Sequence, residues 1–444
     1  METAKALEIM DKAARKIGAD QFDILAGESQ DRSVQVYKGK VKETEISSSQ
    51  GIGIRIFKNN RPGYSYTRKL SEESIKQCVA DAADLSQFSA EVDYQLPSKN
   101  VEQHIDLKLY NDDLENLSIA DLLEMSFALE KKAETAHETI ENVLSSAAGK
   151  SSSKFFLLNS KGVQRNSKRN STIAGCSLVA SKGNIKKSGG FYKSVRDFKE
   201  LDIDVITQKA SAKAVDLLDA KPIVNGEYPI LFDHHMSPAL LGSFMPALYA
   251  ETVQKGQSKL IDKVGEQIAS SCLHLYNDPF VPGLSGSGFT DSEGVPSQKF
   301  DVIEGGVLKT YLYNLLSASK DGVTPTGTGK RSYSGKAGTG FDNLFVGLGK
   351  RNKAEILSSL DKCFVVTKFE GSGIRSAVSG EISIGCQGFY YEKGSLVQPV
   401  DRVTISGNYF DLLKNIQEFS NEYADNLSST KIPDTLINSM SVSG

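Results

Sequence analysis

Asp278-Pro-Phe-Val-Pro-Gly-Leu-Ser-Gly-Ser-Gly-Phe-Thr-Asp-Ser-Glu-Gly294 is the stretch whose reading decides the fold. Its prolines rule out a continuous helix, and its glycines break any sustained apolar alternation, so it reads as linked turns and short extended pieces. Downstream lie Val307-Leu-Lys-Thr-Tyr-Leu-Tyr-Asn-Leu-Leu-Ser-Ala-Ser-Lys320 and two more glycine-rich segments, Thr326-Gly-Thr-Gly-Lys-Arg331 and Gly335-Lys-Ala-Gly-Thr-Gly340. The chain's 38 glycines concentrate in its second half, as tight turns and bulges between short strands require. Residues 223–444 are therefore expected to form a β-rich domain, barrel-like or a sandwich, with few helices. Those helices are predicted at 237–250, near Ala354–Leu360, and from about Phe410 to Tyr423 before a C-terminal strand.

Toward the N-terminus the pattern changes to an α+β region, residues 1–218, with an antiparallel sheet and flanking helices. Ala6, Leu7, Met10, Ala13, Ala14 and Ile17 recur at helical spacing and stop at Gly18. Strand patterns follow at Phe22–Leu25, Arg32–Tyr37 and Gly51–Phe57, with Lys58-Asn-Asn-Arg-Pro-Gly63 turning into Tyr64–Tyr66. Ser71-Glu-Glu-Ser announces a helix. After about residue 110 come a helix from Ser118 to about His137, strands at Lys154–Leu158 and Ser171–Val179, and a helix from about Arg196 to Leu218. This gives a first sub-domain to about residue 110 and a central segment over 111–218. Asp219-Ala-Lys-Pro-Ile-Val-Asn-Gly-Glu-Tyr-Pro229 has no period and marks the boundary between the two regions.

At 444 residues the chain can bury several cores without staples. Lys plus Arg number 52 against 55 acidic residues, and a net charge of −3 offers no general attraction for nucleic acid or anionic lipid. Five cysteines without a C-x-x-C pair argue against a disulfide framework or a structural zinc, and point to a reducing cytoplasm. No run approaches the length of a membrane-spanning helix, and the N-terminus has no signal-peptide pattern.

The order of the motifs, D-P, G-S, F-x-D-x-E-G, G-V-L-x-x-Y-L, S-A-x-K and a T-G loop, resembles the TldD/PmbA family, which also carries the label modulator of DNA gyrase. The likeness covers nearly the whole chain and is to the PmbA/TldE branch. In the TldD branch a helix reading Leu-Leu-His-Glu-x-x-x-His holds zinc and activates water. The matching segment here is Ala239-Leu-Leu-Gly-Ser-Phe-Met-Pro-Ala-Leu248, so Gly242, Ser243 and Ala247 stand at the His, Glu and His positions. The Cys that TldD carries near its C-terminus is also missing from Lys431–Gly444. The resemblance thus implies a subunit without a metal or cofactor of its own, in a hetero-oligomer with a TldD-like zinc peptidase that acts on extended or unfolded peptides.

No residue set for chemistry in this chain alone emerges, so the expectation is no catalytic residue and no metal ligand. His234 and His235 adjoin a strand end, where neighbouring side chains point to opposite faces. Asp291 and Glu293, two apart, allow either an acid–base or cation pair, or a polar turn in which Asp291 caps backbone amides and Gly294 takes positive φ; the turn is preferred. The glycine-rich loops lack the G-x-x-x-x-G-K-[ST] pattern between strand and helix, and read as positions of close backbone approach. On that basis Gly283, Ser285, Gly286, Ser287, Gly288, Asp291, Glu293, Gly327, Gly329 and Lys330 are the candidates for a substrate chamber or subunit interface. Cys386 shares an alternating face with Ile382 and Ile384 and reads as a packed thiol. Two rivals remain: a homodimeric peptide-binding protein without catalysis, and an independent hydrolase.

Overall fold

The computed structural model describes residues 1–376 and 378–444. The N-terminal region is built on one six-stranded antiparallel sheet, in the order β3-β2-β1-β4-β5-β6. Its strands are β1 (Gln21–Tyr37), β2 (Lys40–Lys58), β3 (Arg61–Thr67), β4 (Ile140–Asn159), β5 (Gln164–Lys182) and β6 (Ile185–Val195). The fragments at Phe22–Leu25 and Arg32–Tyr37 are one strand, and those at Lys154–Leu158 and Ser171–Val179 are parts of the longer β4 and β5. Between the fragments the residues are polar, so apolar alternation does not reveal a strand whose middle is carried by hydrogen bonds to neighbours on both sides. The β1–β2 connection is a two-residue hairpin in which Lys38 and Gly39 both have positive φ (53° and 67°), the turn that matches strand twist.

Four helices cover this sheet. α1 (Thr3–Lys16) and α2 (Glu72–Ser86) pack on Phe22, Ile24, Ile52, Ile54 and Ile56. α3 (Ile119–Glu134) and α4 (Ile203–Val215) pack on Val34, Val143, Ala174 and Leu178. The starts are capped as their sequences dictate. The Ser71 hydroxyl accepts from the Ser74 amide, Ser118 and Asp121 form a capping box, and Asp202 accepts from the Val205 amide. The α4 start lies beyond Arg196 because residues Phe198–Glu200 form a separate 3-10 turn.

The C-terminal region contains a closed barrel. β7 (Gly226–Phe232), β8 (Cys363–Arg375), β9 (Glu381–Glu392), β10 (Ser395–Asn408) and β11 (Thr435–Ser443) pair in the ring β10-β9-β8-β7-β11, and β11 returns to β10 through Thr404–Ser443, Ile405–Val442 and Ser406–Ser441. Closure removes free edges, and the barrel alternative to the sandwich is the one realised. Ile230, Phe364, Ile384, Cys386 and Ile405 face its core. Four short strands within residues 275–346, joined by Thr430–Lys431, add a second, five-stranded sheet.

Two predicted helices are corrected. Residues 237–250 are a broken path: Ser237–Leu241 is α-helical, Gly242–Leu248 is 3-10, and a new short helix starts at Ala250. Pro246 has no N–H to give to the turn before it, so the α pattern cannot continue. The last helix ends at Lys414 rather than Tyr423, because Ile416–Phe419 leaves it to pair with Thr435–Ile437 of β11.

Candidate functional site

Strand parity prepares the site. Along Gly51-Ile-Gly-Ile-Arg-Ile-Phe57 the isoleucines turn to the helices, and Gly51, Gly53, Arg55 and Phe57 turn to the C-terminal region. The glycines are a seat for Tyr333. A Cβ on Gly51 would lie 2.3 Å from the Tyr333 ring, and one on Gly53 would lie 1.8 Å from the Tyr333 carbonyl oxygen. Beside that seat is a buried ion network. Arg55 donates through Nη1 to Glu293 Oε1 at 2.7 Å and to the Tyr94 hydroxyl at 3.1 Å, and through Nε and Nη2 to Asp23. Arg331 donates to Asp23 from the other side. The side chains of Arg55, Asp23, Glu293 and Arg331 are all at most 1% exposed.

Asp291 adds a fifth charge to this balanced set. Its Oδ1 accepts from the amides of Glu293 and Val295 and its Oδ2 from that of Gly329, all at 2.8–2.9 Å, and Gly294 has φ +83°. The capped polar turn is thus the arrangement found. Burial, with the Glu293 charge next to it, pushes the Asp291 carboxyl up to about 8. Two guanidinium groups already neutralise Asp23 and Glu293, so a proton on Asp291 leaves the cluster uncharged. Glu293 also accepts the Leu315 amide at 2.9 Å.

Next to this network a cavity of about 1050 Å³ opens between the sheet and the C-terminal loops. Its floor is the C-terminal-facing side of β4 and β5, with Ser153, Phe155, Arg165, Ser167 and Arg169. One wall is the extended segment 103–112, and the roof is formed by residues 285–292 with Lys330 and Asp342. Of the sequence candidates, Ser285, Gly286, Gly288, Asp291 and Lys330 line it. The others are supports. Gly283 (φ +83°) donates to the Leu107 carbonyl and accepts from Arg196; Ser287 is fully buried between Val281 and Asn343; Gly327 has φ +71°; Glu293 and Gly329 belong to the network. Lys330 is paired with Asp342. The loop amides of Gly329 and Thr339 are taken by Asp291 and Glu251, so they do not form a free phosphate cradle.

Sequence reading missed Arg165 and Arg169, which sit four apart on β5 and so share one face. The available signal was the basic run Gln164-Arg-Asn-Ser-Lys-Arg169, which resembles any solvated strand face until the opposite domain is placed over it. Arg169 donates to the Ser287 carbonyl at 2.7 Å and to that of Ser285, fixing the glycine-rich loop.

Gly242, Ser243 and Ala247, which the motif resemblance sets against a zinc helix, offer a hydrogen, a hydroxyl bonded to the Leu240 carbonyl, and a methyl group, on a 3-10 path. Elsewhere, among the described residues, His234, Glu422 and Asp434 bring donor atoms within 4.8 Å of one another. His234 and His235 lie in a turn, not a strand, and their rings are 4.6 Å apart. Hydrogen bonding to Asp434 raises the His234 pKa, whereas burial pushes His235 down to about 4. The Nδ1 of His234 is 3.5 Å from Asp434 Oδ1, and among the described residues neither this nitrogen nor Asp434 Oδ2 has a hydrogen-bond partner in good geometry. Cys386 is 0% exposed in the barrel core and its thiol is pushed up to about 12 by burial, in keeping with a packing role. No described helix is long and apolar enough to cross a membrane.

Comparison with known proteins adds the identity of the fold. Residues 225–444 match the PmbA/TldA metallopeptidase C-terminal domain, 22–86 match its domain 1 and 112–218 its central domain. A metalloprotease PmbA homolog of Haemophilus influenzae is 24% identical, covering 100% of this chain and 96% of that protein. The crystal structure of a Thermotoga maritima protein labelled a modulator of a DNA gyrase superposes with TM-score 0.89 at 27% identity over 100% of both chains. TldE from Thermococcus kodakarensis shares the fold, with TM-score 0.85 at 24% identity over 99% of this chain and 100% of that one. With three consecutive domain matches and a shared architecture end to end, this chain belongs to the PmbA/TldD metallopeptidase family.

Proposed function

We propose that this chain is the metal-free, PmbA/TldE-type subunit of a two-component cytoplasmic peptidase, paired with a TldD-like subunit that supplies zinc and the general base. The observation that carries the reading is the segment Gly242–Leu248. Where the family's metal helix would present two imidazoles and a carboxylate, this chain has Gly242, Ser243 and Ala247 on a path broken by Pro246. No substitution of rotamers recovers a donor from a glycine or an alanine. The cavity beneath residues 285–292 is the part offered to substrate. At about 1050 Å³ it lies at the upper end of the range for small-ligand pockets, roughly 300–1,000 Å³, and has room for several residues of an extended peptide. The cysteines Cys78, Cys176, Cys272, Cys363 and Cys386 are all free, which suits a reducing compartment.

Reconstitution tests this. The isolated chain is expected to cleave no unfolded peptide. Addition of a TldD-like subunit from the same cell is expected to give a stable hetero-oligomer that does, with activity lost when the partner's HExxxH glutamate is replaced. Cleavage by the chelator-treated isolated chain would overturn the proposal in favour of an independent hydrolase, and a persistent homodimer that ignores the partner would favour a peptide-binding protein.

A further inference from the structure

The cavity has an unbalanced positive floor. Arg165 lines it, and its Nε and Nη2 are shielded from solvent yet have no hydrogen-bond partner. Arg169 beside it spends its donors on the Ser285 and Ser287 carbonyls, and Arg196 behind it on those of Gly283, Leu109 and Asn170. Carbonyl oxygens satisfy N–H groups but bring no negative charge, so three guanidinium groups gather where, among the described residues, no carboxylate bonds to them. Burial lowers the pKa of each below the ordinary arginine value, and the Arg169 charge adds to the lowering at Arg196.

The acidic residues on the lining do not cancel this charge. Asp342, whose charge also reaches Arg169, is engaged by Lys330; Asp112 lies 3.6 Å from Lys168; and Asp106 keeps its charge on the exposed wall, which Lys108 also lines. For Asp291, burial and the Glu293 charge beside it push the carboxyl up to about 8 against the pull of its three amide caps, which favours the neutral form. A half-buried guanidinium without a counter-ion is costly, and its planar donors suit a carboxylate in particular.

We infer that Arg165 is the anchor for a carboxylate of an extended peptide, so that the cavity selects acidic segments or free C-termini. This rests on the reading of the cavity as a peptide chamber and deepens it by naming the charge of the substrate. Phe155, Phe289 and Phe341 on the same lining give neighbouring side chains apolar contacts, while the carboxylate sets the register. Both sources of the group, a Glu or Asp side chain and a peptide C-terminus, present the same two oxygens.

The test is binding by the full isolated chain, which needs neither partner nor cleavage. Fluorescence anisotropy is measured with labelled unstructured peptides of equal length: one Glu-rich, one with Gln at the same positions, each with a free or an amidated C-terminus. Wild type is expected to prefer a carboxylate-bearing peptide about tenfold over the amidated Gln peptide, the scale of one charge-assisted hydrogen bond. Arg165→Gln is expected to abolish that preference with unchanged thermal stability, and Arg165→Lys to retain only part of it. If amidation alone removes binding, the ligand is the C-terminus; if Glu→Gln does, it is the side chain. Equal binding of all four peptides, no binding of any, or an unchanged preference in Arg165→Gln overturns the inference. A hetero-complex that still cleaves neutral peptides would leave the proposed function standing without it.

Discussion

Replacing Arg55 by Leu removes the residue on which the contact between the N-terminal sheet and the C-terminal region turns. Arg55 neutralises Asp23 on its own sheet and Glu293 across the interface. After substitution Asp23 retains Arg331, and Glu293 retains the Leu315 amide, but one buried negative charge has no partner. Breaking a buried pair from one side costs about 3–5 kcal/mol, because the remaining charge stays desolvated. The assay is chemical denaturation of wild type, Arg55→Leu, Glu293→Gln and the double variant, with the coupling read from the cycle. The double variant is expected to be much less destabilised than the sum of the singles. Additive effects, or a loss below about 1 kcal/mol for Arg55→Leu, would refute the account of this network as the joint between the two regions.

The glycines of the roof separate structural from functional roles. A Cβ at Gly286 would lie 1.8 Å from the Asp342 carbonyl oxygen, so Gly286→Val should lower stability by about 1–3 kcal/mol or more through overpacking. At Gly288 the nearest contact is 3.7 Å, with the Arg169 guanidinium and the Thr290 carbonyl, so Gly288→Val should leave the melting temperature nearly unchanged while weakening peptide binding; the reverse order would remove Gly288 from the site. Asp291 has a raised folded-state pKa of about 8, so its contribution is full below the unfolded carboxylate range and is lost as pH rises toward 8. Denaturation between pH 5 and 8 should therefore show a falling slope that Asp291→Asn flattens, and identical slopes would contradict the assignment. Cys386→Ala should leave the turnover of a reconstituted complex intact, with at most a small loss of stability from the vacated barrel core; lost turnover in a folded complex would make the thiol functional.

How far the sequence discloses this protein is clear at Gly51–Phe57. The alternation gave the strand, and its isoleucine face was legible from period alone. The opposite face, Gly51, Gly53 and Arg55, matches Tyr333 and Glu293, residues more than two hundred positions away, and no local pattern contains that information. The same limit hid the cavity floor: Arg165 and Arg169 have the signature of a solvated strand until a second domain covers them. The polar middle of β1 concealed a 17-residue strand because backbone pairing, not side-chain burial, holds it. At residues 237–250 the signal is local, for Pro246 alone forbids the continuous helix. The polar turn at Asp291 was legible because its caps are local; the partner of Glu293 was not, because it is distant.

Native mass spectrometry of the tagged chain purified from its own cells tests the central claim most directly, since one spectrum reports both partner and bound metal. The account predicts a hetero-oligomer with a protein containing HExxxH, and zinc retained by the partner but not by this chain when the two are separated. A chain that flies alone or as a homodimer with one tightly held zinc per subunit, lost in Asp434→Asn, would contradict it and would turn His234, Glu422 and Asp434 into a metal site.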